Sequence, residues 1–428
     1  MKVLMFGWEF PPHISGGLGT ACFGLTKALS SQDLEIIFVV PKAFGDEDQV
    51  GMQVIGANNV KIAVRKYRFK EEFKDINYVE IGSNLIPYVS SEEYFNILNG
   101  GETIVKMESY TDEYGKLNFE GGYGSNLLTD VWNYAIIAKS IAVKYEFDLI
   151  HSHDWLTYPA GIAAKEISGK PLVIHVHATE FDRSGVNVNQ QVYDIERHGM
   201  HAANKIITVS NLTKNIVIHN YGVDSEKITT IYNAVEPVSE ELVQEYKKAF
   251  TDKIVTFLGR ITFQKGPEYF LEAAAKVLQK EKNVKFVMAG SGDLLEKMIR
   301  RAAELGITSK FHFTGFLKGD DVVKMLSISD AYVMPSVSEP FGISPLEAMR
   351  SNVPCIISKQ SGVAEILKHA IKVDFWDVDA MADAIHGVIK YNGLKRTFKE
   401  YGKAEVDSLK WENAAVKVKE VYKESLIS

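Results

Sequence analysis

Short apolar runs recur between longer amphipathic stretches, and this alternation restricts the chain to parallel βα units more tightly than any other feature of the sequence. "KVLMF" (2–6) reads as a buried strand, "GTACFGLTKALSS" (19–31) as a helix and "EIIFVV" (35–40) as a second strand. Further strands are predicted in "FDLIHSH" (147–153), "LVIHVHA" (172–178) and "KIITVS" (205–210). After "ITTIYNAVEPVSEE" the pattern restarts. "KIVTFLG" (253–259) leads into a helix near 267–280, followed by "VKFVMAGSG" (284–292), a helix, "KFHFTGF" (310–316), "AYVMPS" (331–336) and "PCIIS" (354–358). A chain of 428 residues is too long for one ordinary core. The reading is therefore α/β, with two Rossmann-like, doubly wound parallel-sheet domains facing a cleft. They span residues 1–236, with a less regular aromatic-rich insertion at about 45–125, and residues 237–410. Residues 411–428 read as an amphipathic helix able to cross back to the first domain.

The insertion's aromatics, Tyr88 and Phe95 among them, suit half-buried antiparallel strands and would also stack on sugar rings. A net charge of −7 argues against a nucleic-acid partner, whose binding needs clustered cations. Cys22 and Cys355 lie far apart, which fits a reducing compartment without a disulfide framework. No run of about eighteen apolar residues predicts a membrane span. The opening "MKVLMFGWEF" lacks the long apolar core of a signal peptide. The expectation is a cytoplasmic protein without stable membrane insertion.

Open α/β sheets bind ligands beyond the carboxyl ends of their strands, so the loops there carry the chemistry. In "HISGGLGT", Gly16 and Gly17 let backbone approach a ligand, and the following helix start offers N–H groups to an anion. A dinucleotide fingerprint would need a third glycine where Cys22 stands, which disfavours a nicotinamide oxidoreductase although Asp33 and Glu35 lie near the required acidic position. "GRITFQKG" places Arg260, a fork for phosphate oxygens, and Lys265, a point charge, directly after a strand. "AGSGD" (289–293) offers the amides of Gly290 and Ser291 in a similar turn.

The two His-x-His strand ends put His151 with His153, and His175 with His177, on shared strand faces. No cysteine or glutamate cluster accompanies them at ligand spacing, so no metal is expected. His153 or Asp154, and His177, are read as polar contacts at the cleft mouth, with His151 and His175 facing the core. "DVD" (377–379) opens a helix, where an aspartate caps free amides. Glu339 and Glu347, in "SEPFGISPLEAM" (338–349), suggest an acid and a base at first sight. Pro340 and Pro345 instead predict a turn at Glu339, exposed amides at "PFG", and a separate helix carrying Glu347.

Taken in order, "WEFPPHISGGLGT", "HSHDW", "HVHATEFD", "VSNLTK", "GRITFQKG", "AGSGD", "PSVSEPFGISPLEAM" and "SGVAEIL" resemble the retaining GT-B glycosyltransferases of family 4 and their neighbours, the bacterial glycogen and starch synthases. The resemblance covers nearly the whole chain. It implies that Arg260 and Lys265 clamp the donor diphosphate, with Gly16 and Gly17 at the phosphates and transferred sugar. Gly290 and Ser291 would complete the donor site. Glu347 would hold the ribose, and Glu339 with the amides of Phe341, Gly342 and Ile343 would hold sugar hydroxyls. His177 would touch the reacting sugar, and Asp154 would lie on the acceptor side. The implied enzyme is a retaining, metal-independent hexosyltransferase without a cofactor, moving glucose from ADP-glucose or UDP-glucose to the non-reducing end of an α-1,4-glucan. The synthases carry a lysine where this chain has Ile14, which shifts weight toward family 4 proper. The alternatives are a family 4 transferase using another polysaccharide, a glycolipid or a small acceptor, and a non-catalytic sugar-nucleotide-binding protein.

Overall fold

Parallel strands covered on both faces read as continuous apolar runs, and the strands named above form where such runs occur. The computed structural model describes residues 1–13, 16–47, 52–60, 64–67, 78–81, 117, 119, 127–236 and 251–427. Most of the aromatic-rich insertion, Ile14 and most of the junction between the two halves lie outside the described residues.

The first sheet begins with β1 (Lys2–Phe6), β2 (Glu35–Val40) and β3 (Gln53–Gly56). An antiparallel pair, β4 (Val64–Tyr67) with β5 (Tyr78–Ile81), stands apart from it. The sheet continues with β6 (Leu149–His153), β7 (Leu172–Val176), β8 (Lys205–Thr208) and β9 (Ile228–Thr230), in the spatial order β3-β2-β1-β6-β7-β8-β9. The second sheet holds β10 (Lys253–Leu258), β11 (Val284–Ala289), β12 (Phe311–Gly315), β13 (Ala331–Met334), β14 (Cys355–Ser358) and β15 (Ile371–Val373), in the order β12-β11-β10-β13-β14-β15. All neighbours within these two sheets run parallel. Strand order reverses direction at β1/β6 and at β10/β13, the positions where such sheets open a crevice.

Alternate residues of each strand serve opposite layers. Leu4, Phe6, Ile150 and Ile174 pack in one core with α2 (Leu127–Lys144) and α3 (Tyr158–Ser168), whereas Val3, Met5, Leu149 and Val173 pack against α1 (Gly17–Ser30). That second layer also receives Trp411, Ala415, Val418 and Tyr422 of the closing helix, residues Trp411–Ile427. This helix follows the second domain in sequence and lies on the first. The fit is close at Gly24, where a Cβ would stand 2.3 Å from Trp411 Nε1. No described helix is long and apolar enough to cross a membrane.

The domains touch directly. Val209 and Val235 join Met334, Phe341, Val363 and Leu367 in one apolar cluster. Glu365 accepts hydrogen bonds from the amides of Asn211 (3.0 Å) and Leu212 (2.7 Å), the first residues of the helix Asn211–Tyr221. A carboxylate at a helix N-terminus meets the positive end of the peptide dipoles.

Candidate active site

The loop after β10 is held by close backbone contact. Ile261 N donates to Ser291 O at 2.9 Å and Gly290 N to Gly315 O at 2.8 Å. A Cβ at Gly290 would stand 1.8 Å from Gly259 O, and one at Gly292 would stand 2.3 Å from Ile261 O. Both glycines are therefore required for the two loops to approach each other. On this platform Arg260 is exposed and reaches Gln264 Oε1 at 3.3 Å. Lys265, in the single turn Phe263–Lys265, extends to Glu339 with an Nζ–Oε2 distance of 2.5 Å.

Glu339 follows β13 and is nearly buried. Its Oε2 also accepts from Ser336 Oγ at 3.1 Å, and its backbone is fixed by Gln360 O and by Gly362 N. Gly342 sits at φ +102°, a region that favours glycine, in the turn that leads to the helix Ser344–Arg350. Among the described residues, the backbone N–H groups of Phe341, Gly342 and Ile343 donate to no protein acceptor. Pro345 stands in the first turn of that helix, which carries Glu347. Part of Glu347 is solvent-exposed, yet burial of its carboxyl lifts the pKa to about 7. Desolvation acts alone here, because no cation stands beside the carboxyl to offset it.

In the first domain, Gly16 and Gly17 open α1 with no side chain capping it. A Cβ at either glycine would meet nothing within 4 Å, and Gly16 has extended backbone (φ −178°). Neither packing nor strain thus accounts for these two glycines. We expect Gly17→Ala to fold with a melting temperature no lower than wild type, since alanine is the better helix former, while donor KM rises at least about tenfold, the equivalent of 1.4 kcal/mol. Titration of donor against initial rate, with thermal melting alongside, checks both halves.

Asp154 adopts φ +64°, uncommon for a residue with a side chain. Its buried carboxylate lies 3.8 Å from Arg183 and accepts from Ala178 N at 3.4 Å. Arg183 also pairs with Glu180 (3.2 Å) and with Glu196. The one guanidinium offsets burial only in part at Asp154 and Glu196. Burial raises Asp154 to about 6 and Glu196 to about 7, with Arg183 opposing each shift. The neighbouring Asp182 closes a capping box with Thr179, and its Oδ1 accepts from Ser338 Oγ at 2.5 Å. This bond links the segment after His177 to the residue before Glu339. The fold therefore sets the segment after His177 against the loop that carries Glu339, the partner of Lys265, and Ile343 packs at the edge of the core that contains α1.

His177 is partly buried, which lowers its pKa to about 3 and keeps the ring neutral. His151 and His175 face the interior. His153, read as one of two alternatives for a contact at the cleft mouth, is fully buried instead, with Nδ1 3.0 Å from His177 Nε2. His153 still pairs with His175 in the sheet, so Asp154 is the first residue to leave it. Asp377 accepts from Ala380 N at 2.9 Å as a helix cap. Sequence reasoning missed Glu196 and Tyr221, which hydrogen-bond each other beside Arg183. Their one signal is a glutamate on the apolar face of "VYDIERHGM" (192–200).

Residues 238–405 match the family described as glycosyl transferases group 1, and residues 118–238 match glycosyltransferase family 4. With the double parallel-sheet architecture, these matches establish that the chain belongs to the GT-B glycosyltransferases of family 4. An uncharacterized glycosyltransferase of Methanocaldococcus jannaschii is 27% identical over 99% of this chain and 98% of the relative. A glycogen synthase of Mycobacterium tuberculosis is 22% identical over 91% of this chain and 86% of its own length. Among solved structures, sucrose-phosphate synthase from Thermosynechococcus elongatus superposes with a TM-score of 0.71 at 16% identity, covering 99% and 98% of the two chains. Anabaena HepE in complex with UDP-glucose gives 0.68 at 16% identity, covering 99% and 100%.

Proposed function

We propose that this glycosyltransferase moves glucose from ADP-glucose or UDP-glucose to the non-reducing end of an α-1,4-glucan, with retention of anomeric configuration. The observation that carries the donor site is the cationic loop Arg260–Lys265 joined to Glu339 at 2.5 Å, beside three described backbone N–H groups that donate to no protein acceptor. The glycogen synthase relative and the neighbour solved with UDP-glucose support the donor and acceptor classes.

In this reading Arg260, Lys265 and the first amides of α1 take the diphosphate. Gly290 and Ser291 shape the wall behind it. Glu347 accepts the ribose hydroxyls. Glu339 and the amides of Phe341, Gly342 and Ile343 accept and donate to the sugar hydroxyls. Asp154 lies toward the acceptor, and His177 contacts the reacting sugar as a neutral imidazole. As the bond from C1 to the phosphate oxygen breaks, negative charge grows on the diphosphate, where fixed cations and amides stabilise it. The acceptor hydroxyl oxygen bonds to C1 on the same face, and its proton passes to the departing phosphate oxygen. No protein carboxylate acts as nucleophile, and no divalent ion is needed at the diphosphate.

The test measures nucleoside diphosphate release from ADP-glucose and UDP-glucose, with and without glycogen. Release accelerated by glycogen, with α-linked product by NMR, is expected. Failure of glycogen to accelerate release with either donor would remove the glucan assignment, and a β-linked product would remove retention. A small-molecule acceptor is the second reading. It is favoured by the sucrose-phosphate synthase neighbour and by an exposed ring, Phe44, stacked on His13 at 4.0 Å in the loop after β2. Release accelerated by a mono- or disaccharide alone would select it.

A further inference from the structure

Four histidines of the two strand ends stack inside the first domain, and their hydrogen bonding does not close. His151 engages the Tyr422 hydroxyl through Nδ1 at 2.5 Å, and His153 engages His177 Nε2 through Nδ1 at 3.0 Å. Nε2 of His151, Nε2 of His153 and both ring nitrogens of His175 have no partner. All three side chains are fully buried, at 0–1% exposure. The rings of His151 and His175 lie 5.5 Å apart and nearly parallel, and that of His153 is 5.3 Å from His175. One ring nitrogen of each of these three residues lies within 4.8 Å of those of the other two. A buried polar atom left unpaired is costly, so several in one place need a reason.

We propose that His151, His153 and His175 form a three-histidine site for a transition-metal ion of zinc(II) or cobalt(II) character, and that the bound ion orients His177. Imidazole nitrogens suit such ions. Ligation at about 2.0–2.1 Å in tetrahedral geometry asks for nitrogens about 3.4 Å apart, a modest contraction of the observed group. The division of nitrogens agrees with this use at His151 and His153, whereas His175 has neither ring nitrogen on a partner. A ligating histidine usually keeps its other ring N–H on a hydrogen-bond partner, and the occupied nitrogens here are those on Tyr422 and His177. Tyr422 belongs to the closing helix, so the site would also tie that helix to β6.

The consequence for His177 follows from proton accounting. With Nε2 of His153 on the ion, its Nδ1 carries the proton and donates to His177 Nε2. His177 then holds its own proton on Nδ1. Its importance at the reacting sugar rests on the function proposed above, whereas the metal site does not. Cys22 forms a competing group with His153 and His177, also within 4.8 Å. A thiolate ligand would reveal itself spectroscopically.

The experiment uses the untagged full chain, stripped by chelator and titrated with cobalt(II), then with zinc(II) in competition. One equivalent should bind, with visible ligand-field absorption and no thiolate charge-transfer band in the near ultraviolet. Tyr422→Phe should weaken binding about 10- to 100-fold, and His175→Asn should weaken it further. His312→Asn, at an exposed position, should leave it unchanged. Absence of stoichiometric uptake, equal uptake by His175→Asn, or a thiolate band removed by Cys22→Ala would overturn the site. Should His175→Asn fail to fold, Tyr422→Phe decides alone, and unchanged affinity counts against the proposal. Imidazole nitrogen NMR of the zinc-loaded protein should show His177 protonated at Nδ1, and a tautomer unaltered by zinc would overturn the orienting role. Neither readout depends on glycosyl transfer, so a failed donor assay leaves the metal result standing.

Discussion

Lys265→Ala should lower kcat/KM for glycosyl transfer by at least about 10²-fold, the usual cost of removing one preorganised donor from developing negative charge. The side chain is part of a nearly closed pair with Glu339, at 21% and 8% side-chain exposure. Its loss therefore has two effects that must be separated. One is catalytic, through the uncompensated diphosphate. The other is structural, because Glu339 is left nearly buried with only Ser336 Oγ as a remaining side-chain partner. Breaking a fully buried pair costs about 3–5 kcal/mol, and the partial exposure of Lys265 reduces this to roughly 2 kcal/mol after solvent screening. Pairing Lys265→Ala with Glu339→Gln removes the stranded charge, so the double variant should regain thermal stability while remaining inactive. Lys265→Arg should rescue poorly, since a planar fork does not occupy the place of a compact ammonium. A Lys265→Ala protein with kcat/KM within a fewfold of wild type would contradict the diphosphate role. Recovery of transfer in the double variant would show that only the structural effect mattered.

The strands that build the cleft were legible because burial on both faces leaves a continuous apolar run, as in "EIIFVV" and "KIVTFL". Strands β3, β9 and β15 were not, since each is three or four residues long and carries polar side chains at a sheet margin. The candidate-site residues were legible for a related reason. Glycines, prolines and cations directly after strands have little to do with a core, so Arg260, Lys265, Glu339 and Gly17 stood out. The glycines nonetheless differ in kind. Gly290 and Gly292 are required by backbone approach within the protein, and Gly16 and Gly17 are not. Only coordinates separate those cases. The Arg183 network and the histidine stack were illegible as units because their members come from distant segments, Glu196 and Tyr422 among them. Sequence spacing reports neighbours along one strand or helix and is silent about partners brought by the next element.

Glu347→Gln should make the protein more stable at neutral and higher pH while weakening its hold on the donor. Burial raises this carboxyl from 4.5 to about 7. The folded state therefore binds its proton more tightly than the unfolded chain does. Stability from this group is present below pH about 4.5, declines as pH rises through the window up to about 7, and is lost above it. The full shift would amount to about 3 kcal/mol, and solvent reaching part of the residue brings the expected gain for glutamine down to about 1–2 kcal/mol. Thermal melts of wild type and variant should converge near pH 4.5 and separate by pH 8, with the variant higher. Function should move the opposite way. A carboxylate accepting ribose hydroxyls makes charge-assisted hydrogen bonds of about 1.5–3 kcal/mol, so donor KM should rise about 10- to 100-fold with a smaller change in kcat. Donor binding favours the ionised form, so wild-type donor KM should fall as pH rises from 6 to 8, and the glutamine variant should lack that dependence. A variant that is no more stable at pH 8, yet binds donor normally, would mean that Glu347 neither carries a desolvated charge nor grips the nucleotide. Greater stability with unchanged donor KM would leave the buried charge in place and assign the ribose to another residue. The two measurements together distinguish a carboxylate retained for binding from one tolerated by the fold, because only the former makes destabilisation the counterpart of affinity.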